Sequence, residues 1–289
     1  MKLFLTAFLL FFSFTLAAQT KLKLPQASPK VKLTHTIGIT EVTINYSAPG
    51  VKKREVWGKL VPYGKIWRAG ANEATKIAFS TDVRILQENI PAGTYSFFIF
   101  PADSSNWYLV LNKQLGLWGT DGYDQSKDLI RLPFSPQESD FHETLKYSFN
   151  DVQPTSGRLV LNWEKKQLAI PIRVEVHAQT LKSIKDSLAT TKPDDWSVFA
   201  QAVNYLLQQN TEHELALEWI NKSIGIEENF YNTWLKARLL AQKSEFDEAL
   251  ELNKKAQRLG KNDEKTYKTY AQEIEDAAVL WKEKRFQAN

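Results

Sequence analysis

The apolar residues of this 289-residue chain change period once, near Ala178, and no single layer of secondary structure accommodates both halves. From about Lys30 to Val176 they alternate with period two, the spacing that sends successive side chains to opposite faces of a sheet. Val42, Ile44 and Tyr46 make one such run; Ile77 and Phe79, then Tyr95, Phe97 and Ile99, then Trp107, Leu109 and Leu111 make the next three. Leu145, Tyr147 and Phe149 follow, then Leu159, Leu161 and Trp163, and a last strand from Leu168 through Ile170, Ile172 and Val174 to Val176. Turn residues separate the runs at Ala48-Pro49-Gly50, Pro91-Ala92-Gly93, Pro101 to Ser105 and Pro154 to Gly157, and Lys165-Lys166 is expected to turn the chain between the last two strands. Short antiparallel strands punctuated in this way predict an all-β sandwich of jelly-roll or Greek-key type, with a closed barrel as the alternative. After Ala178 the period is helical and Ala, Leu, Lys and Glu dominate. The expected domains are a β-sandwich over residues 19–177 and an all-α domain over residues 178–289.

Residues 1–18 read as a signal peptide: Lys2 supplies the positive start, Leu3 to Leu16 the apolar run, and Ala17-Ala18-Gln19 the small residues for cleavage. A stable membrane span is not expected, because crossing the hydrocarbon core takes about 20 apolar residues and this run is shorter. The expectation is export to the periplasm or the extracellular space. With Cys 0, the chain has no disulfide, no thiolate metal site and no cysteine to carry a lipid, so its domains rest on their cores alone. The net charge of +4 hides a small asymmetry, with 20 basic and 15 acidic residues from Gln19 to His177 against 16 basic and 18 acidic from Ala178 to Asn289, so neither half is strongly polarised. Lys52, Lys53 and Arg54 form the compact basic cluster of the first half, read as a solvated loop, and nucleic acid is not an expected partner.

In the second half, Pro193-Asp194-Asp195 is expected to start one helix, and Thr211 to Glu214 has the S/T-x-x-E form of a capping box. A second capping signal at Ser244 to Asp247 precedes Phe246, Ala249, Leu250 and Ala256, and a last helix is expected from about Asp263 to Phe286 with a stripe of Tyr267, Tyr270, Ile274, Ala277, Ala278 and Trp281. Glu214 to Ile226 aligns with Asp247 to Leu259 at a shift of 33 residues, Ala216 over Ala249 and Ser223 over Ala256. With Ala237 and Leu240 on the helix between, the segment from Asp195 to Leu259 resembles two tetratricopeptide repeats, although Asn204 stands where the first copy should carry a small residue. That resemblance implies a tetratricopeptide-like scaffold that docks a protein partner, with no catalytic role; an exposed stripe including Tyr205, Trp234 and Arg238 would mark its docking face.

The segment from Arg54 to Ala74, REVWGKLVPYGKIWRAGANEA, differs from everything around it in its three glycines, two tryptophans and polar group of Arg68, Asn72 and Glu73. Its stretch from Trp57 to Glu73, together with Pro91 to Ser96 and the Trp107 strand, resembles the bacterial exported family called domain of unknown function 2911, over about Gln26 to Val176. The resemblance implies a fold and export, and no activity. On the residues themselves, Trp57, Tyr63 and Trp67 could cover the apolar face of a sugar ring while Arg68, Asn72 and Glu73 bond its hydroxyls, so these six are the candidate ligand-binding residues for a carbohydrate or a peptide. A structural account competes with this one. Arg68 and Glu73 would pair with each other, and Gly58, Gly64 and Gly70 would supply positive φ.

Enzymatic readings have less to rest on. An exported carbohydrate-active hydrolase would need two carboxylates across a cleft, with Glu73 as acid or base, Arg68 orienting substrate, and Asp121, Asp124 or Asp140 as the second carboxylate. There is no G-x-S-x-G elbow and no H-E-x-x-H pair, so neither a serine nucleophile nor a metal is expected, and no cofactor. His142-Glu143 reads as a solvent-facing strand position and Asp121 to Asp124 as an Asp-Gly turn rather than a calcium loop. The expectation is a non-catalytic ligand- or protein-binding module joined to a helical-repeat interaction domain.

Overall fold

The computed structural model describes residues 24–103 and 106–288, so the signal-peptide expectation for residues 1–18 lies outside the described residues. The chain divides into two compact units, one ending at Val174 and one starting at Glu175.

The first unit is two antiparallel sheets. One has six strands in the spatial order β1 (Lys30–Ile37), β2 (Thr40–Ser47), β3 (Lys76–Phe79), β6 (Gly93–Phe100), β7 (Trp107–Asn112) and β8 (Asp128–Phe134). The other has four, β5 (Glu88–Ile90), β4 (Val83–Ile85), β10 (Ser156–Arg173) and β9 (Gln137–Gln153). The chain leaves the larger sheet after β3 for the β4–β5 hairpin, returns for β6 to β8, and crosses again for the long β9–β10 hairpin. The sheets remain separate ladders with β1, β8, β5 and β9 at their edges, so the sandwich is formed and the barrel alternative is not.

Alternation explains which residues the sandwich buries. Val42, Ile44 and Tyr46 on β2, Phe97 and Ile99 on β6, Trp107, Leu109 and Leu111 on β7, and Leu145 and Tyr147 on β9 are all buried. Across the core, Tyr147 donates its backbone N–H to the Tyr46 hydroxyl at 3.2 Å, and the two rings meet edge-on at 4.7 Å.

Lys165-Lys166 does not turn the chain: β10 runs unbroken through it as one strand of 18 residues. Its inward positions are odd before that point (Leu159, Leu161, Trp163) and even after it (Leu168, Ile170, Ile172). The change occurs where the register against β9 shifts, around Glu164, which sits at φ 55. A bulge, not a reversal, therefore accounts for the switch, because an irregular residue rotates the strand without ending it. β10 also ends at Arg173, so Val176 opens the first helix instead of closing a strand. The strands β4 and β5 are too short to stand out in sequence, whereas β1 alternates through Val31, Leu33 and Ile37 but is mostly exposed, and β8 is only partly buried.

Six helices make up the described part of the second unit: α1 (Val176–Thr190), α2 (Trp196–Gln209), α3 (His213–Ile226), α4 (Phe230–Gln242), α5 (Phe246–Leu259) and α6 (Glu264–Ala288). Asp195 caps α2 as its sequence predicts, accepting from the Ser197 amide at 3.0 Å. The two S/T-x-x-[D/E] signals do not form caps, since Glu212 and Glu245 occupy the N-cap positions of α3 and α5 without a side-chain bond. The capping box is made instead by Asn229 and Asn232 at the start of α4. The small residues at the 33-residue shift, Ala216, Ser223, Ala249 and Ala256, are fully buried, as is Ala237, so neighbouring helices approach closely at these points. Trp234 is buried and stacks on Trp281 at 5.4 Å, and Tyr205 stacks on His177 and hydrogen-bonds its ring, so these two aromatics do not supply the exposed stripe that would mark a docking face. None of the described helices is long and apolar enough to cross a membrane.

Candidate functional site

The segment from Arg54 to Ala74 is tied into the sandwich around Trp67 and Ala69. Trp67 exchanges backbone hydrogen bonds with Ile99 on β6 at 2.7 and 2.9 Å, and the Ala69 carbonyl accepts from the Tyr147 hydroxyl at 2.9 Å and from the Thr75 hydroxyl at 3.1 Å. These bonds draw the loop across the end of the core and carry its indoles inward. Trp57, Trp67, Trp107 and Trp163 form one cluster, with Trp57 at 5.6, 5.0 and 5.8 Å from the other three rings and Trp67 stacked on Trp163 at 5.7 Å. All four are buried, so Trp57 and Trp67 present no face to a ligand. Tyr63 is partly exposed but folds back onto Gly58, where an added Cβ would stand 3.0 Å from its ring.

The polar members of the motif separate. Glu73 does not pair with Arg68: its carboxylate meets Lys30 Nζ at 2.8 Å, with both side chains largely in solvent. The Lys30 hydrogen bond, helped by the charges of Lys30 and Lys76, holds Glu73 below the ordinary carboxylate range against a smaller effect of burial. Arg68 lies over Gly119 and beside Asp121; burial pulls its guanidinium below the ordinary value while Asp121 opposes that shift. The Arg68 Nε is buried without a partner among the described residues. Asn72 takes a left-handed conformation at φ 58 and donates to the Ser28 carbonyl at 3.3 Å. Gly58 and Gly64 have the positive φ expected of them, whereas Gly70 does not; there a Cβ would meet Thr75 Oγ1 at 2.8 Å and the Ser47 carbonyl at 3.1 Å, so glycine is required by crowding.

Glu73 stands at a groove of about 420 Å³ on the outer face of β1, β2 and β3, with Lys30, Lys32, Lys76, Asn45 and Ser47 also lining it. Strand register explains the grouping: Lys32 lies opposite Asn45, and Asn45 opposite Lys76, so three strands contribute one cross-strand row. Glu73 is the one carboxylate among the lining residues, which leaves the hydrolase expectation without a second carboxylate in this groove. Asp124 instead caps a short 3₁₀ turn by accepting from the Ser126 amide.

Sequence reasoning missed Trp118. It is 63% exposed and forms an isolated antiparallel bridge with Glu73, so its indole leaves the backbone on the same side as the Glu73 carboxylate. The Gly119 amide donating to the Asn72 carbonyl at 2.9 Å and the Ala74 amide donating to the Leu117 carbonyl at 3.0 Å fix this pairing. Beneath it lies a small second core of Ala74, Phe98, Val110 and Leu117 on the outer face of β6 and β7. The one signal in the sequence was an aromatic between two glycines, Gly116-Leu117-Trp118-Gly119, outside any alternating run.

Next to this second core, the Tyr123 hydroxyl donates to the Asp128 carboxylate at 2.8 Å and accepts from Arg131 at 3.1 Å, while Asn112 donates to Asp128 at 2.8 Å. Burial first, then the Asp128 contact, pushes the Tyr123 phenol up to about 12, with Arg131 pulling the other way. The folded value exceeds the unfolded one, so the stabilisation is complete below about pH 10 and is lost as pH rises through about 12. Ultraviolet difference titration of the protein against Tyr123→Phe should isolate a phenol ionising near 12, and the variant should lose less stability across that window. A difference signal titrating at the ordinary tyrosine value would contradict this network.

A sequence profile described as "Protein of unknown function (DUF2911)" matches residues 28–172, half of the chain and nearly the whole sandwich. No curated protein and no solved structure gives a significant match.

Proposed function

Because the chain belongs to the DUF2911 family, whose function is unknown, we propose from its geometry that the β unit is a non-catalytic binding module for an acidic carbohydrate. The observation that carries this reading is Trp118, an exposed indole on the same side of a backbone bridge as Glu73, which itself lines the groove with Lys30, Lys32 and Lys76. An indole face covers the apolar side of a sugar ring, while Asn45 and Glu73 suit hydroxyls. Three ammonium groups against one carboxylate leave the groove positive, which favours a ligand carrying acid groups. A single carboxylate held ionised by Lys30 suits hydrogen bonding to a ligand and does not suit general acid catalysis, which needs a raised value. The apolar run in residues 1–18 supports export to the periplasm or the extracellular space, where such polymers are met.

The helical unit is proposed as a tetratricopeptide-like scaffold for a protein partner, supported by the buried small residues at a 33-residue shift and by a groove of about 600 Å³ lined by Arg238, Gln242, Phe246, Glu273 and Lys284. A photoreactive side chain placed at Lys284 should crosslink to a protein in cells; crosslinks to no protein would remove this part of the proposal.

Affinity electrophoresis through uronic-acid and neutral polysaccharides tests the main reading. The acidic polymer is expected to retard the protein, and Trp118→Ala is expected to weaken retention about tenfold or more, equivalent to about 1.4 kcal/mol. Its urea midpoint should remain that of the parent, because the indole is mostly in solvent. Retention that Trp118→Ala and Lys76→Ala leave unchanged would sink the assignment.

A further inference from the structure

A second cavity, about 400 Å³, lies wholly within the helical unit, where the start of α2, the α3–α4 turn and the start of α6 meet. Its walls are aromatic and its rim acidic: Trp196, Tyr231 and Tyr270 line it together with Glu227, Glu228 and Asp263. Tyr231 and Tyr270 meet at 5.1 Å with their planes inclined by 49°, and Phe230 packs against both. No lysine or arginine is among the lining residues.

The acidic groups are not all consumed by the protein. Glu228 pairs with Lys255 at 2.6 Å, and Asp263 accepts from the Thr266 amide at 3.2 Å as it caps α6. The Glu227 side chain makes no hydrogen bond or ion pair among the described residues; its backbone carbonyl accepts from Asn232 Nδ2 at 2.7 Å. That bond, with the Asn229–Asn232 capping box, holds the α3–α4 turn in place, so the cavity is preformed. Three helix starts (α2, α4, α6) and two helix ends (α3, α5) abut it, and at about half a charge each they nearly cancel. The three carboxylates less Lys255 therefore leave the cavity negative.

We propose that this cavity binds an organic ammonium group, taken between the Trp196, Tyr231 and Tyr270 rings and neutralised by Glu227. Ring faces attract cations through their quadrupole, and the attraction grows when the cation is desolvated. A neutral apolar ligand would desolvate the Glu227 carboxylate without compensation, and an anion would meet uncancelled negative charge. A metal ion does not fit: no group of three or more His, Asp or Glu side chains placed to hold one occurs among the described residues. The volume suits a small cation or the end of a modified lysine side chain.

Titration calorimetry of the full chain tests this with choline, a trimethyl-lysine peptide, and 3,3-dimethylbutanol as the uncharged counterpart of choline. Saturable binding of choline or of the peptide at millimolar concentration or below is expected, with the uncharged alcohol at least about tenfold weaker. The tighter of the two ammonium probes identifies whether the group arrives on a small molecule or on a protein. Trp196→Ala and Glu227→Gln should each lower affinity about tenfold, and Lys282→Ala, at an exposed position of α6 outside the cavity lining, should retain it. Absence of saturation by both ammonium probes, equal affinity for the alcohol, or binding indifferent to Trp196→Ala and Glu227→Gln would overturn the proposal.

Discussion

Trp67→Ala is expected to destabilise the β unit by about 3–5 kcal/mol, the range for emptying a buried indole site. Trp67 is 8% exposed, stacks on Trp163 at 5.7 Å and meets Trp57 edge-on at 5.6 Å, so truncation opens a void among rings that cannot close over it. Its two backbone bonds to Ile99 survive the substitution, which confines the loss to the side chain. Against a typical total of about 5–15 kcal/mol, that is a large share of what holds a domain folded. Glu73→Gln should stay within about 0.5 kcal/mol, because its ion pair with Lys30 is solvent-exposed. Urea unfolding of the full chain, with hydrogen exchange followed over residues 28–172, distinguishes the two. A loss below about 1 kcal/mol for Trp67→Ala would mean that the indole cluster is not a core.

Gly260→Ala is expected to destabilise the helical unit by about 1–3 kcal/mol, the cost of overpacking. The backbone at Gly260 is at φ −59 and ψ −22, where alanine is at ease, and on that ground alone the substitution would gain about 0.4–1 kcal/mol. Space decides the sign. A Cβ at Gly260 would lie 2.2 Å from Tyr267 Cδ2 and 2.5 Å from Cγ, too close to the ring's attachment for a rotation to clear. Tyr267 packs edge-on against Phe230 at 5.4 Å, so displacing it disturbs a wall of the aromatic cavity and should also weaken ammonium binding. Gly225→Ala on α3 is the control: nothing lies within 4 Å of its Cβ position, and it should stabilise by up to about 1 kcal/mol. Thermal unfolding of both variants provides the comparison, and a neutral or stabilised Gly260→Ala would contradict the packing around Tyr267.

The strands β2, β6 and β7 were legible because their inward residues recur with period two, as Val42, Ile44 and Tyr46 do on β2, even though β6 and β7 also bury Phe98 and Val110 on their outer face. The irregularity at Glu164 was also present, as the change from odd to even positions between Trp163 and Leu168, yet two lysines there read equally well as a turn. Helix starts were less legible: Thr211 and Ser244 carry the capping pattern without capping, while Asn229 and Asn232 cap without carrying it. A cap depends on where the chain enters the helix, and packing of the preceding turn sets that.

The motif from Trp57 to Glu73 marked a distinctive region, but not the roles within it. Composition and period alone determined two kinds of structure in one chain, a place near Ala178 where one gives way to the other, and a loop whose aromatic and polar content required burial or binding. Only the tertiary structure decided which: Trp67 turns inward where Ile99 holds its backbone and Tyr147 holds that of Ala69, and Trp57 packs against it in the same indole cluster. It also brought Lys30 to Glu73 across 43 positions and paired Trp118 with Glu73 in a backbone bridge, and it gathered Trp196, Tyr231 and Tyr270 from three helices around one cavity. Local periodicity records which face of an element avoids water; it does not record which distant residue arrives there, since that follows from how whole sheets and helices pack.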